Sequence, residues 1–239
     1  MRFERYDRIV SHYASMWPLL VPGYTSILQT MGQIVGVLPQ RPQTVLDVGC
    51  GPGSAVAAVA GGCAASADVT LVDGSVRMLS AARRALGNHA KRVVHGDFCD
   101  PAVAANVFAP DHYDLIIVSF ALHHLDDRAK SAVIGQVARA LRPGGLVLLG
   151  DEVRADRPAG WDMVERIRSQ TIREHLQAKR ITEAFWHIET SLPAQMALPF
   201  LPASLSDLQT WMTQHGLAVG CPLAFLGTVL LAGIRATIA

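Results

Sequence analysis

Three carboxylates and three glycines stand where ligand chemistry could be done. Asp47 ends a short apolar run in "TVLDVGCGPGSA", Asp73 does so in "VTLVDGS", and Asp97 follows a third run in "HGDFCD". Behind Asp47 come Gly49, Gly51 and Gly53 at alternate positions. Glycines in such a turn let the backbone approach a ligand closely. Their spacing departs from G-x-G-x-x-G, and no lysine follows as in a phosphate-binding P-loop. A tight turn without a ligand is the plain alternative for this loop. At the end of a second strand, Asp73 stands where doubly wound folds set a carboxylate against ribose hydroxyls, although an acid before Gly-Ser also serves as a helix cap. Asp97, with Phe98 beside it, could accept from an adenine amino group and pack on the ring; a surface turn is the alternative. Acids after three successive strands mark the edge at which open α/β sheets bind ligands.

The elements that must carry these residues follow from the pattern around them. Strand-like runs at Thr44 to Val48, Val69 to Val72, Arg92 to His95, Leu115 to Ser119 and Leu146 to Gly150 alternate with helical or Ala-rich stretches. Buried strands alternating with helices imply right-handed crossovers and an α/β, doubly wound, parallel sheet. Ile27, Met31, Ile34, Val35 and Leu38 mark a leading helix, ended by Pro39 and Pro42. Another helix over Asp127 to Leu141 stops at "RPGG". After Gly150 comes a connection, Glu152 to Ala203, long enough to be a cap; it holds Trp161, Phe185, Trp186, His187 and Phe200. A helix at about Ser204 to His215 leads to the C-terminal end.

Composition narrows the classes. Of 239 residues, half are hydrophobic and 17% charged, which fits one globular domain with a full core. The net charge of +1 gives no support to a large nucleic-acid surface, and the stretch Glu152 to Thr190 balances seven basic against seven acidic residues. Cys50, Cys63, Cys99 and Cys221 are widely spaced without C-x-x-C, so reduced thiols in a cytoplasmic protein and no metal are expected. The N-terminus carries charges throughout and lacks a signal-type apolar stretch. Gly216 to Ile234 is uncharged over nineteen residues, yet Gly220-Cys221-Pro222 interrupts it and Leu226-Gly227 can turn it. Two buried strands are therefore expected there in place of a membrane span.

At this point the chain resembles the class I S-adenosylmethionine (SAM)-dependent methyltransferases. The residues that carry the resemblance are "VLDVGCGPG" (45–53), "LVDGS" (71–75), "GDF" (96–98), "YDLIIVSFALHHL" (113–125) and "LRPGGLVLLGDE" (141–152), in the family's order. The resemblance implies a seven-stranded, mostly parallel sheet of order 3-2-1-4-5-7-6 with the last strand antiparallel. It implies that Gly49, Gly51 and Gly53 line the amino-acid and ribose portion of SAM, that Asp73 holds the ribose diol, and that Asp97 with Phe98 reads adenine. Asp47, Cys50, Gly74, Ser119 and Phe120 complete the expected cofactor set, with S-adenosylhomocysteine (SAH) as product. The expected organisation is an N-terminal helical segment over the active site (1–40), a Rossmann-like core (41–151), a helical cap (152–203), and a final helix with a strand pair (204–239).

The chemistry expected is in-line transfer of the activated methyl group with water excluded. His124 and His123, in "SFALHHLDD", are candidate bases, with His124 preferred; either could equally be solvent-facing or structural. That stretch has neither the D/N/S-P-P-Y/F motif nor the Pro-Cys nucleophile of nucleic-acid-methylating enzymes, so a small-molecule acceptor is expected. Arg166, Arg173 and Arg180 recur every seven residues, as a solvated helix face or a carboxylate-binding one. "WPLLVPGYTSILQTMGQ" (17–33) is similar to the opening segment of carboxy-SAM synthase and its relatives, which implies that Tyr24 sits over the active site. Two other readings stand beside methyl transfer: another SAM-using enzyme such as a relative of that synthase, and a non-catalytic SAM-binding partner protein. The oligomeric state is open, a homodimer included.

Overall fold

The computed structural model describes residues 3–155, 158–181 and 199–236. Five parallel strands build the centre: β1 (Thr44–Val48), β2 (Asp68–Asp73), β3 (Ala90–His95), β4 (Tyr113–Ser119) and β5 (Leu141–Arg154). The C-terminal hairpin, β6 (Leu217–Phe225) and β7 (Thr228–Arg235), closes one edge, with β7 antiparallel to β5 and β6 antiparallel to β7. The resulting order is β3-β2-β1-β4-β5-β7-β6. An eighth, two-residue strand, Ala203–Ser204, pairs with the far end of β5 at Val153 and Arg154. β1 and β4 are apolar and buried along nearly their whole length because helices cover both faces.

Among the described residues, eight α-helices surround the sheet: α1 (Glu4–Leu20), α2 (Tyr24–Gly36), α3 (Ser54–Val59), α4 (Val76–Leu86), α5 (Pro101–Val107), α6 (Asp127–Ala140), α7 (Pro158–Gln177) and α8 (Leu205–Gln214). Short polar side chains start several of them. Ser75 accepts from the Met78 N–H, Asp100 from the Ala102 and Val103 N–H groups, and Asp126 from the Ala129 N–H. Ser204 and Asp207 form a reciprocal capping box at α8. One core layer packs α1 to α4 on the sheet, and the opposite layer packs α5, α6 and α8.

Two local expectations change. The "RPGG" turn joins α6 directly to β5: Leu141 pairs with Tyr113, the register then jumps, and Leu146 pairs with Leu115, leaving Arg142 to Gly145 as the irregularity. The C-terminal run does form two strands, but only β7 is buried; β6, with a neighbour on one side alone, is largely exposed beyond Leu217. Pro222 lies in the β6 irregularity between Gly220 and Leu223, where a ladder N–H is not needed. Leu226 and Gly227 both adopt positive φ (42° and 79°), the twist that suits a two-residue hairpin turn. No helix among the described residues is long and apolar enough to cross a membrane.

Ile117 sits fully buried at the centre of β4, between β1 and β5. Ile117→Ala is expected to cost about 2–5 kcal/mol, read as a lowered urea midpoint with an unchanged slope.

Candidate functional site

The carboxyl ends of β1 to β4 open into one cleft, roofed by α1. Its floor comes from the loop after β1, its walls from the turns after β2, β3 and β4. Gly49 and Gly51 line it, with positive φ of 67° and 52°. A Cβ on Gly49 would come within 2.7 Å of the Ala121 Cβ, so the residue is glycine for close approach as well as for backbone angle. Asp73 ties this loop to the next one. Its Oδ2 accepts from the Gly51 N–H at 2.9 Å, and its Oδ1 accepts from the Ser75 N–H at 2.8 Å. Burial pushes the Asp73 carboxyl up, and those two N–H groups pull it back. Asp97 accepts from the Cys99 N–H at 2.9 Å and lines the cleft beside Phe98.

Of the residues expected to bind a cofactor, Gly49, Gly51, Asp73, Gly74, Asp97, Phe98 and Phe120 line this cleft. Phe120 has φ 52°, a strained angle for a side chain of its size, and its N–H donates to the Gly150 carbonyl at 2.7 Å. The remaining four lie behind the lining. Gly53 caps α3 and packs against Ala82 and Leu86 of α4. Cys50 is buried, its N–H donating to the Val72 carbonyl. Ser119 ends β4, opposite Gly150 of β5. Asp47 is fully buried, and neither of its carboxylate oxygens has a hydrogen-bond partner.

That orphaned acid bears on what the cleft can hold. Burial, reinforced by the neighbouring Asp73 charge, raises the Asp47 pKa from 3.8 to about 8. A buried carboxyl without a partner favours its neutral form until a cation or donor arrives. A ligand with a ribose diol would therefore meet a preorganised acceptor at Asp73, with the protonated Asp47 buried behind the glycine loop.

The two histidines separate into different environments. His123 is buried; its Nδ1–H donates to Asp151 Oδ1 at 2.5 Å, and its Nε2 is 3.9 Å from Glu152 Oε2. Burial is the largest single influence and lowers its pKa, but the charge and hydrogen bond of Asp151 together with the Glu152 charge outweigh it, and the net shift is upward. Asp151 also accepts the N–H groups of Leu122 and His123 on Oδ2 and of Glu152 on Oδ1. Arg168 of α7 donates to Glu152 at 2.7 Å, which joins the start of the cap to β5. His123 thus anchors the turn from behind, while His124 lines the cleft. His124 Nε2 lies 2.6 Å from the Tyr6 hydroxyl, and its Nδ1 is 3.0 Å from the Pro199 carbonyl. Burial and the adjacent His123 charge lower its pKa to about 3.

Tyr24, at the start of α2, is buried against Phe120 with ring centroids 5.0 Å apart. It supports the Phe120 turn from below and is not among the residues lining the cleft. Arg166, Arg173 and Arg180 are exposed, as on a solvated face. Phe185, Trp186 and His187 lie outside the described residues. Sequence reasoning missed the cleft-lining side chains of α1, namely Phe3, Tyr6 and Tyr13. Their signal was the helical spacing of Tyr6, Ile9, Tyr13 and Trp17, one face on which Tyr13 and Trp17 stack at 4.4 Å. Asp151 was missed as well, hidden at the end of an apolar strand.

Asp47 has a measurable consequence. Its folded-state pKa of about 8 lies above the ordinary 3.8, so the native state holds the proton longer than the unfolded chain does. The stabilisation this gives is complete below the ordinary value and is lost as pH rises through about 8, at no more than about 1.4 kcal/mol per pH unit. Asp47→Asn, neutral throughout, should gain stability relative to the native chain between those limits, seen in urea midpoints measured across pH.

Comparison with known proteins agrees with this geometry. Residues 45–145 match a family described as a methyltransferase domain. A carboxy-S-adenosyl-L-methionine synthase of Aeromonas salmonicida is 27% identical over 169 residues, 66% of this chain and 64% of the synthase. The chain therefore spans under two thirds of that relative's length. An O-methyltransferase family protein of Burkholderia thailandensis superposes with a TM-score of 0.61 at 22% identity, covering 99% of this chain and 60% of that one. Human N-acetylserotonin methyltransferase in complex with SAM superposes with a TM-score of 0.60 at 12% identity, covering 98% and 58%.

Proposed function

We propose, from the match of residues 45–145 to a methyltransferase domain, that the chain is a class I SAM-dependent enzyme that transfers the methyl group of SAM to a small-molecule acceptor. The observation that carries this reading is the cleft at the ends of β1 to β4, where Asp47, Asp73 and Asp97 succeed one another along the sheet edge. SAM supplies a methyl group already activated by its sulfonium. Asp73 would accept the ribose hydroxyls, Asp97 and Phe98 would hold the adenine, and Asp47 would give up its proton to balance the amino-acid ammonium. Phe120 and Ala121 wall the cleft on the β4 side. α1 closes the roof, with Asp7 accepting from the Ser75 hydroxyl at 2.6 Å, and so excludes water from the displacement.

A small acceptor fits the roofed cleft and the small-molecule O-methyltransferase neighbours. In this reading residues 1–40 cover the active site and the 152–203 segment caps it. The Aeromonas relative favours a second reading, transfer of a carboxyl group onto SAM. Prephenate is the carboxyl source which that likeness implies.

Calorimetry separates the readings' common ground from its rivals. SAM and SAH should bind, NAD should not, and Asp73→Ala should weaken SAH by about 100-fold through loss of charge-assisted bonds to two hydroxyls. Preferential binding of NAD would sink the proposal. Mass spectrometry of the cofactor after incubation with prephenate decides between the two chemistries: unchanged SAM is the expected result, and a carboxylated product would favour the synthase reading.

A further inference from the structure

Resting on the reading above, we propose that Tyr6 of α1 is a catalytic residue: it receives the hydroxyl of a neutral, apolar acceptor and passes a proton to His124. Both side chains line the cleft, and they meet at 2.6 Å. The direction of this hydrogen bond follows from its other end. The Pro199 carbonyl can only accept, so His124 Nδ1 carries the hydrogen and Nε2 holds the lone pair. Tyr6 therefore donates to Nε2, and the phenol oxygen keeps its own lone pairs for a further donor. Burial pushes the Tyr6 phenol up and His124 down, so the resting pair is neutral.

The contact is more than a fastening for α1. Asp7, one residue on, already docks the helix: its carboxylate accepts from the Ser75 hydroxyl and from the Arg77 N–H at 3.2 Å. Phe3 packs over Gly74, where an added Cβ would meet its ring at 2.4 Å. The Tyr6 hydroxyl is thus available for chemistry.

The step balances. A lone pair of the acceptor oxygen forms the new O–C bond as the C–S bond breaks, its electron pair going to sulfur. The acceptor's proton moves to the Tyr6 oxygen, and the Tyr6 proton moves to His124 Nε2. One cation, the sulfonium, disappears as another, the imidazolium, forms, so the charge in the cleft is unchanged. An imidazole whose pKa is lowered still suffices, because a protonated ether is a far stronger acid. The acceptor class follows from the walls. Tyr13, Phe120 and Leu125 are apolar or aromatic, and among the described lining residues there is no lysine or arginine to hold an anion.

The test uses the full chain saturated with SAH and 1-naphthol as the fluorescent probe, with naphthalene as its hydroxyl-free counterpart. The native complex should prefer 1-naphthol by about tenfold, the worth of one hydrogen bond. Tyr6→Phe, which keeps the ring, should erase that preference while holding SAH affinity within about threefold. His124→Asn, which leaves the phenol in place, should weaken the preference too and keeps the test open if Tyr6→Phe does not fold. Equal preference in native and variant chains, or none in the native complex, overturns the pair. Failure of the native chain to bind SAH instead removes the reading in the preceding subsection.

Discussion

The cleft depends on the Asp73 carboxylate. With one oxygen on the Gly51 N–H and the other on the Ser75 N–H, it pins the loop after β1 to the turn after β2. The same turn starts α4 through the Ser75 cap and receives α1 through Asp7, so floor, wall and roof share one anchor. A carboxylate that accepts two backbone N–H groups is held in orientation before any ligand arrives. Preorganisation of this kind lowers the cost of binding, because the acceptor is already placed for a diol.

A second principle is the segregation of charge. Asp47 lies buried under the glycine loop, where burial and the Asp73 charge outweigh the pull of the Val56 N–H and favour the neutral acid. On the far side of the cleft, Asp151 is saturated by three backbone N–H groups and the His123 ring, and Glu152 by Arg168. In the proposed reading, binding a positively charged cofactor would draw the proton from Asp47. Tyr6 and His124 both line the cleft and meet at 2.6 Å.

Much of this was legible in the sequence, for physical reasons. Strands buried on both faces leave apolar runs, and acids stand out at their ends; hence β1, β2 and β4, with Asp47 and Asp73, could be read directly. The order of the sheet came through resemblance, since local pattern says nothing of which strands are neighbours. The roof was only partly readable. α1 mixes charged and aromatic residues, and nothing local tells that Tyr6 and Tyr13 turn toward a cleft that begins only at Gly49. His123 and His124 illustrate the same limit: neighbours in sequence with ring centroids 4.0 Å apart, one bonds a buried carboxylate and the other lines the cleft. Tyr24 falls between these cases, near the site but beneath Phe120.

The most direct test of the account is a crystal structure with SAH bound. The ribose diol should lie on Asp73, the adenine beside Asp97 and Phe98, and the sulfur should face the Tyr6–His124 pair. Adenosine bound away from Asp73, or sulfur directed away from that pair toward another set of polar groups, would contradict it.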